Sequence, residues 1–272
     1  FILSFILLFS CATVETKVNP EISSIEIDEN KKFLTYLEND WQKTLDDNPL
    51  FASYTGDKRN NNKISSNDID NFNKGKKSDE QSLKLLKSID ISKLSEENKL
   101  NYKLKEFDLL SSIGTKDFPT YYLRLNQRGG IQSFYETGNR LVYTSKQDYF
   151  DWLNRLKQFE TNIYNALEIN KEGLLNGHTQ PKLVTRGVIA QLKSIIESDI
   201  DSNPYMKVFL DADDSLLTKD EKANLINEAK ELIQNKINPA YEKLFNFLKD
   251  DYLPNSRDSI GIKAVSYTHL RA

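Results

Sequence analysis

TSKQDYFDWLNRLKQFETNIYNALEINKEGLLNG, Thr144–Gly177, is the stretch from which the rest of the chain is best read. Thr144-Ser145-Lys146-Gln147 fits the capping-box pattern, in which a hydroxyl and a residue three positions on satisfy the first free N–H groups of a helix. Leu153, Leu156, Phe159, Ile163 and Leu167 follow at steps of three and four, which places them on one face. Asn176-Gly177 then supplies a helix stop. The spacing predicts one long helix with a buried stripe.

The same period extends in both directions. Toward the C-terminus, the loop His178-Thr179-Gln180-Pro181 leads to a helix through Val184, Val188, Leu192 and Ile195, where Pro181 near the first turn is harmless. Thr218-Lys219-Asp220-Glu221 is a further capping box. Leu225, Ala229, Leu232, Ile237, Tyr241, Leu244 and Leu248 then trace seven or eight turns, with a kink predicted at Pro239.

Toward the N-terminus, Phe118–Tyr143 holds Pro119, three glycines and no sustained period, so short irregular pieces packed on helices are expected. Ser95 starts a helix whose Leu100, Leu104, Phe107, Leu110 and Ile113 should face inward, with Gly114 as its stop. Ser78-Asp79-Glu80-Gln81 reads as a capping box ahead of Leu83, Leu86 and Ile89. Asp57–Lys77, rich in Asn, Lys, Asp and Ser, reads as an exposed connection. Leu50–Tyr54 is a short turn of helix, and Phe33, Leu34, Leu37, Trp41 and Leu45 mark a first helix. The fold class expected is mainly α, one helical domain over 27–264, with a Gly/Tyr-rich irregular segment at 118–143.

Composition narrows the function classes. With 38% hydrophobic and 28% charged residues over 272 positions, the chain can bury a full core, and a net charge of -3 gives no electrostatic case for nucleic acid. The front end, FILSFILLFSCATVETK, begins with an apolar run far shorter than the ~20 residues that span a bilayer. It has the length of a signal-peptide core. Leu8-Phe9-Ser10-Cys11 resembles a bacterial lipobox, which makes Cys11 the candidate lipid-attachment residue and residues 1–11 a signal-peptide remnant. Residues 12–26 read as a tether, and Ala12 after the cysteine resembles the default signal for outer-membrane sorting. A single cysteine permits no disulfide framework.

The final AVSYTHLRA back-translates to a string containing CTGTCTCTTATACACATCT, which looks like a transposon end used to build sequencing libraries. Val265–Ala272 are therefore read as adapter translation. Removing them takes away His269 and Arg271 and leaves a charge of 36 minus 40, or -4.

Motifs that carry chemistry are scarce. No H-E-x-x-H or G-x-S-x-G occurs. His178 reads as a surface or capping residue in its loop. Asp211, Asp213 and Asp214 lack the Gly and terminal Glu of a calcium loop and read as a solvated turn. Gln127-Arg128-Gly129-Gly130 reads as a tight turn, with exposed N–H groups for an anion as the alternative. Tyr121, Tyr122, Phe134, Tyr135, Tyr143, Tyr149, Phe150 and Trp152 read as core.

Three stretches together resemble a bacterial family of helical, often lipid-anchored proteins, the domain of unknown function 885. They are FPTYYLRLNQRGGIQSFYETGNRLVYTSKQDYFDWLNRLKQF, GLLNGHTQPKLVTRGVIAQL and INPAYEKLFNFLKDDYLPNSRDSIGI. The resemblance runs from about Phe33 to Ile262 and includes Pro239-Ala240-Tyr241 and Tyr252-Leu253-Pro254. Members look like zinc peptidases of the thimet-oligopeptidase and carboxypeptidase kind, with an H-E-x-x-H helix and a later Glu binding the metal.

No position here matches that motif, so the resemblance implies no catalytic or metal residue in this chain. It implies an N-terminal part of a larger metallopeptidase-like fold, with zinc and peptide substrate belonging to the full-length protein in the cell envelope. This piece would form the wall of a substrate cleft, with Arg128, Gly129 and Gly130 as a candidate turn at its edge. Helices built to pack on a missing half should leave apolar faces uncovered. The alternative is a non-enzymatic helical lipoprotein that captures a solute.

Overall fold

The structure is a computed structural model that describes residues 20–260, with side chains from residue 29 onward. Cys11, the first part of the tether and the Val265–Ala272 tail lie outside the described residues. Among those described, the architecture is all-helical, joined by turns and two isolated bridges.

Helix α1 (Pro20–Asp47) and the short α2 (Pro49–Tyr54) come first. The second part of the expected tether is thus the start of α1, since no helix breaker separates Pro20 from Asp47. Helices α3 (Ile69–Leu86) and α4 (Glu96–Lys116) pair beside α1 around a small core of Phe33, Leu86, Ile89, Leu94, Tyr102 and Leu109. Two expectations fail on α3. It begins at Asp68, whose carboxylate accepts from the Asn71 N–H at 2.6 Å, and the Ser78 box lies in mid-helix. There Asp79 accepts from Lys116 and Ser112 of α4, so the residues read as a cap serve as a polar contact between helices.

On α4 the Ser95 start is as read, its hydroxyl accepting from the Asn98 N–H. The helix passes Gly114 and ends at Lys116, at the modest cost of a mid-helix glycine. The inward face is reversed. Tyr102 and Leu109 are buried, whereas Leu100, Leu104, Phe107 and Leu110 are exposed. Lys105 turns with Tyr102 and Leu109 toward α1, where its ammonium meets Asp40 at 2.5 Å.

The irregular segment ahead of the long helix contains two single turns and α5 (Tyr135–Arg140). Helix α6 (Lys146–Leu175) is the long helix. Its cap sits one residue later than the pattern indicates: Ser145 is the N-cap, and Asp148, not Gln147, reaches back to accept from the Ser145 N–H at 2.9 Å. Helices α7 (Lys182–Ile196), α8 (Lys207–Leu210), α9 (Lys219–Leu232) and α10 (Asn238–Phe247) complete the main body. The Thr218–Glu221 capping box opens α9 as read. A π turn over Ile233–Ile237 joins α9 to α10 immediately before Pro239, so the irregularity expected at the proline is taken up by widening one turn of a continuing helix.

The main core packs Trp152, Leu153, Leu156, Phe159 and Ile163 of α6 against Val188, Leu192, Phe209, Leu225, Ile237, Tyr241 and Leu244. Most of the aromatic set lies here: Tyr149 and Trp152 are buried, with Phe134, Tyr135, Tyr143 and Phe150 packed against them. Gly138 is required at its position, because a Cβ there would lie 2.4 Å from the Trp152 ring.

A second stripe runs along α6. Asp148, Asp151, Arg155, Gln158, Asn162 and Asn165 recur at steps of three and four, and the segment from Lys58 to Asn67 lies along them. Lys58 donates to Asp148 at 2.7 Å, and Asn61 to Asp151 at 3.1 Å. Gln158 donates to the Asn62 carbonyl at 2.7 Å, Asn162 to that of Ser65 at 3.0 Å, and Asn165 to the Ser66 hydroxyl at 3.1 Å.

Arg155, fully buried, is the centre of the ladder. It donates to the carbonyls of Lys63 (2.9 Å) and Pro49 (3.1 Å) and to the Ser53 hydroxyl (2.6 Å). Burial pushes its guanidinium down to about 10. Burial alone would raise Asp148, but Lys58, the Thr144 N–H and Ser145 hold its carboxyl below the usual range. The exposed connection expected at Asp57–Lys77 is therefore corrected: its first half is bonded to α6 and its second half is α3.

Replacing Arg155 with Met keeps the apolar stem but removes the donor to the Lys63 carbonyl and the contacts to Pro49, which keeps the Ser53 hydroxyl, and to Ser53. We expect a loss on the order of 3–5 kcal/mol in denaturant unfolding, with protease cleavage appearing between residues 57 and 67. An unchanged unfolding midpoint would show that the ladder contributes little.

Candidate functional site

The Gln127–Gly130 turn is held from three sides. Within it, the N–H groups of Asn126 and Gly129 donate to each other's carbonyls at 3.1 and 3.2 Å, and the Asn126 side chain accepts from the Arg128 N–H at 3.0 Å. The Arg128 N–H is thereby used within the turn, which counts against the anion-cradle alternative. Gly130 has φ +143°, and a Cβ there would sit 2.7 Å from Gln132 Oε1 and 3.3 Å from Leu125. Only glycine fits both the conformation and the space.

Behind the turn, Gln132 is buried and donates through Nε2 to the Asn126 carbonyl (2.7 Å) and to Gln191 Oε1 on α7 (3.0 Å). Gln191 in turn donates to the Gln127 carbonyl at 2.9 Å. Gly187 lets α7 approach, since a Cβ would meet Gln127 at 3.0 Å. From α10, the Tyr241 hydroxyl donates to the Ile131 carbonyl at 2.7 Å and accepts from Tyr205 at 2.6 Å. Burial raises both phenols well above their ordinary range, so both stay protonated donors.

Between this turn and α7 lies a cleft of about 330 Å³, bordered by Arg128, Gln132, Ser133, Glu136, Gln191 and Ser194. Of the candidate edge residues, Arg128 borders the cleft and Gly130 shapes the turn that presents it. Gly129 faces open space. The lining is amide and hydroxyl, with Glu136 ion-paired to Arg140, so the cleft suits a polar ligand held by hydrogen bonds.

A second junction lies nearby in sequence. The Gln180 N–H donates to the Tyr252 hydroxyl at 2.8 Å, Arg257 Nε to the Thr179 carbonyl at 3.1 Å, and the Lys182 N–H to the Arg257 carbonyl at 2.9 Å. His178 stacks on Tyr122, ring centroids 5.4 Å apart. The aspartates at 211–214 form the turn expected ahead of α9, with Asp211 on Lys207 and Asp214 on Lys222. Among the described residues, no three His, Cys, Asp or Glu side chains converge as a metal site. No helix among the described residues is long and apolar enough to cross a membrane.

A family model described as "Bacterial protein of unknown function (DUF885)" matches residues 49–267. The chain belongs to this family.

The matched residues include both junctions: the 126–132 turn, α7 with its preceding loop, and the Pro239–Tyr241 and Tyr252–Arg257 segments. The crystal structure of a "putative lipoprotein" from Colwellia psychrerythraea shares the fold, with a TM-score of 0.65 at 17% identity over 89% of this chain. The match covers 42% of that chain, so this chain spans less than half of its length. No curated protein matches the chain in sequence. Gln132, Gln191 and Tyr241 escaped the sequence reading as site residues. A Gln and a Tyr on otherwise apolar faces are weak signals, and their partners are backbone groups that a sequence does not display.

Gly130→Ala should cost roughly 1–3 kcal/mol and displace the turn from Gln132. Thermal unfolding together with amide exchange at Arg128–Ile131 measures this, and a variant as stable as the parent with unchanged exchange would contradict the geometry.

Proposed function

We propose that this chain is the N-terminal helical region of an envelope lipoprotein that, at full length, hydrolyses peptides with zinc. In this reading the cleft beside Arg128 belongs to the wall along which substrate lies. The main support is the agreement between the DUF885 match and a structural relative, itself described as a "putative lipoprotein", of which the match occupies only 42%. The lipobox-like Leu8–Cys11 accords with an anchored protein, lipidated on Cys11 and facing the periplasm or sitting at the outer membrane. Zinc and its ligands would come from the remainder of the polypeptide, and the described region by itself would be inactive.

The polar cleft also fits a second reading, a solute-capturing lipoprotein without catalysis. Its amide and hydroxyl lining would serve an oligosaccharide or peptide equally.

The decisive experiment uses the full-length polypeptide. We expect an H-E-x-x-H downstream of Ile262, stoichiometric zinc, and cleavage of fluorogenic peptides that chelation abolishes and zinc restores. A full-length protein that binds no zinc and leaves peptides intact would favour the solute-binding reading. For the anchor, Cys11→Ala should abolish labelling by a fatty-acid analogue and release the protein from membranes; labelling that persists in the variant would remove Cys11 as the attachment site.

A further inference from the structure

Helix α4 is apolar on two opposite sides. Tyr102 and Leu109 are 6% and 5% exposed and lie in the small core. Leu100, Leu104 and Phe107, at i, i+4 and i+7, form a stripe across the helix from them and are 59%, 54% and 68% exposed. Leu110, 47% exposed, continues the stripe into a shallow groove of about 520 Å³ between α3 and α4, where Leu83 and Ile113 also lie. A helix that keeps one side in water carries polar residues there. A run of large apolar side chains ending in a groove is the form of an interface.

We infer that this stripe is the docking face for an amphipathic helix from the remainder of the same polypeptide. Two observations select that occupant. The solved relative is more than twice as long as the region matched, so more than half of such a chain lies elsewhere and is available to pack here. The face is also small: Leu100 to Leu110 is about 15 Å of helix. Four side chains and a groove edge offer well under the roughly 800 Å² per partner of a stable dimer. Between separate copies such a patch would not offset the loss of translational freedom. Within one polypeptide the linkage supplies a high effective concentration, and a face of this size suffices. The inference rests on the reading that this chain is part of a longer protein, and not on zinc or on peptide cleavage.

The test is hydroxyl-radical footprinting of the full-length polypeptide, read by mass spectrometry at concentrations where sedimentation velocity shows a monomer. Leu104 and Phe107 should be oxidised several-fold less than expected for their intrinsic reactivity, with Leu175, 87% exposed on α6, as the unprotected reference. Full reactivity of Phe107 in a full-length protein that extends well beyond residue 262 would overturn the docking while leaving the longer-protein reading intact. Protection only at concentrations where a dimer forms would overturn the intramolecular occupant. A gene that ends near residue 262 would overturn both.

Discussion

Arg155 and the carbonyls it meets are the point on which the described structure turns. A guanidinium buried in the middle of α6 is costly unless its donors find acceptors; Nε and Nη2 of Arg155 do, whereas Nη1 is buried without one. The acceptors are backbone groups of Pro49, Asn60 and Lys63 together with the Ser53 hydroxyl, all in the chain ahead of α3. The two cores are joined by this exchange. One side of α6 packs apolar residues against α7, α9 and α10, and the other presents polar side chains to α2 and to the Lys58–Asn67 backbone, which has no helix of its own. Such a segment satisfies its carbonyls through a neighbour or through water, and here α6 supplies much of the neighbouring surface.

The two junctions have a similar physical basis. Segments distant in sequence meet there, and side chains satisfy loop backbone: Gln132, Gln191 and Tyr241 around the 126–131 turn, and Tyr252 and Arg257 around Thr179–Lys182. A position whose side chain serves another segment's backbone is constrained by identity and not only by polarity. Glycines stand at the first junction because close approach excludes a Cβ at Gly130 and Gly187. The cleft beside Arg128 lies next to this bracing, where α7 comes close at Gly187 and Gln191 bonds the Gln127 carbonyl.

The uncovered stripe on α4 concerns a different level of organisation. The small core of α1, α3 and α4 is complete with Tyr102 and Leu109 turned in. The leucines and the phenylalanine outside are surplus to it. A sequence period locates an apolar stripe but does not say which of two stripes a given partner covers.

By itself the sequence determined the helical class, the long α6, the Ser95 and Thr218 starts and the aromatic core, because a 3.6-residue period and a capping hydroxyl act within a few residues of one another. It also carried the family through motif order, and marked Arg128–Gly130 as a turn from its glycines. Tertiary structure alone decided that Asp68 and not Ser78 begins α3, that Asp148 caps α6 while holding Lys58, that the Asp57–Asn67 segment is bonded to a helix, and which side of α4 faces inward. Each of these is a choice among locally equivalent options. The energy that separates them comes from partners 30 to 100 residues away, which no local pattern can contain.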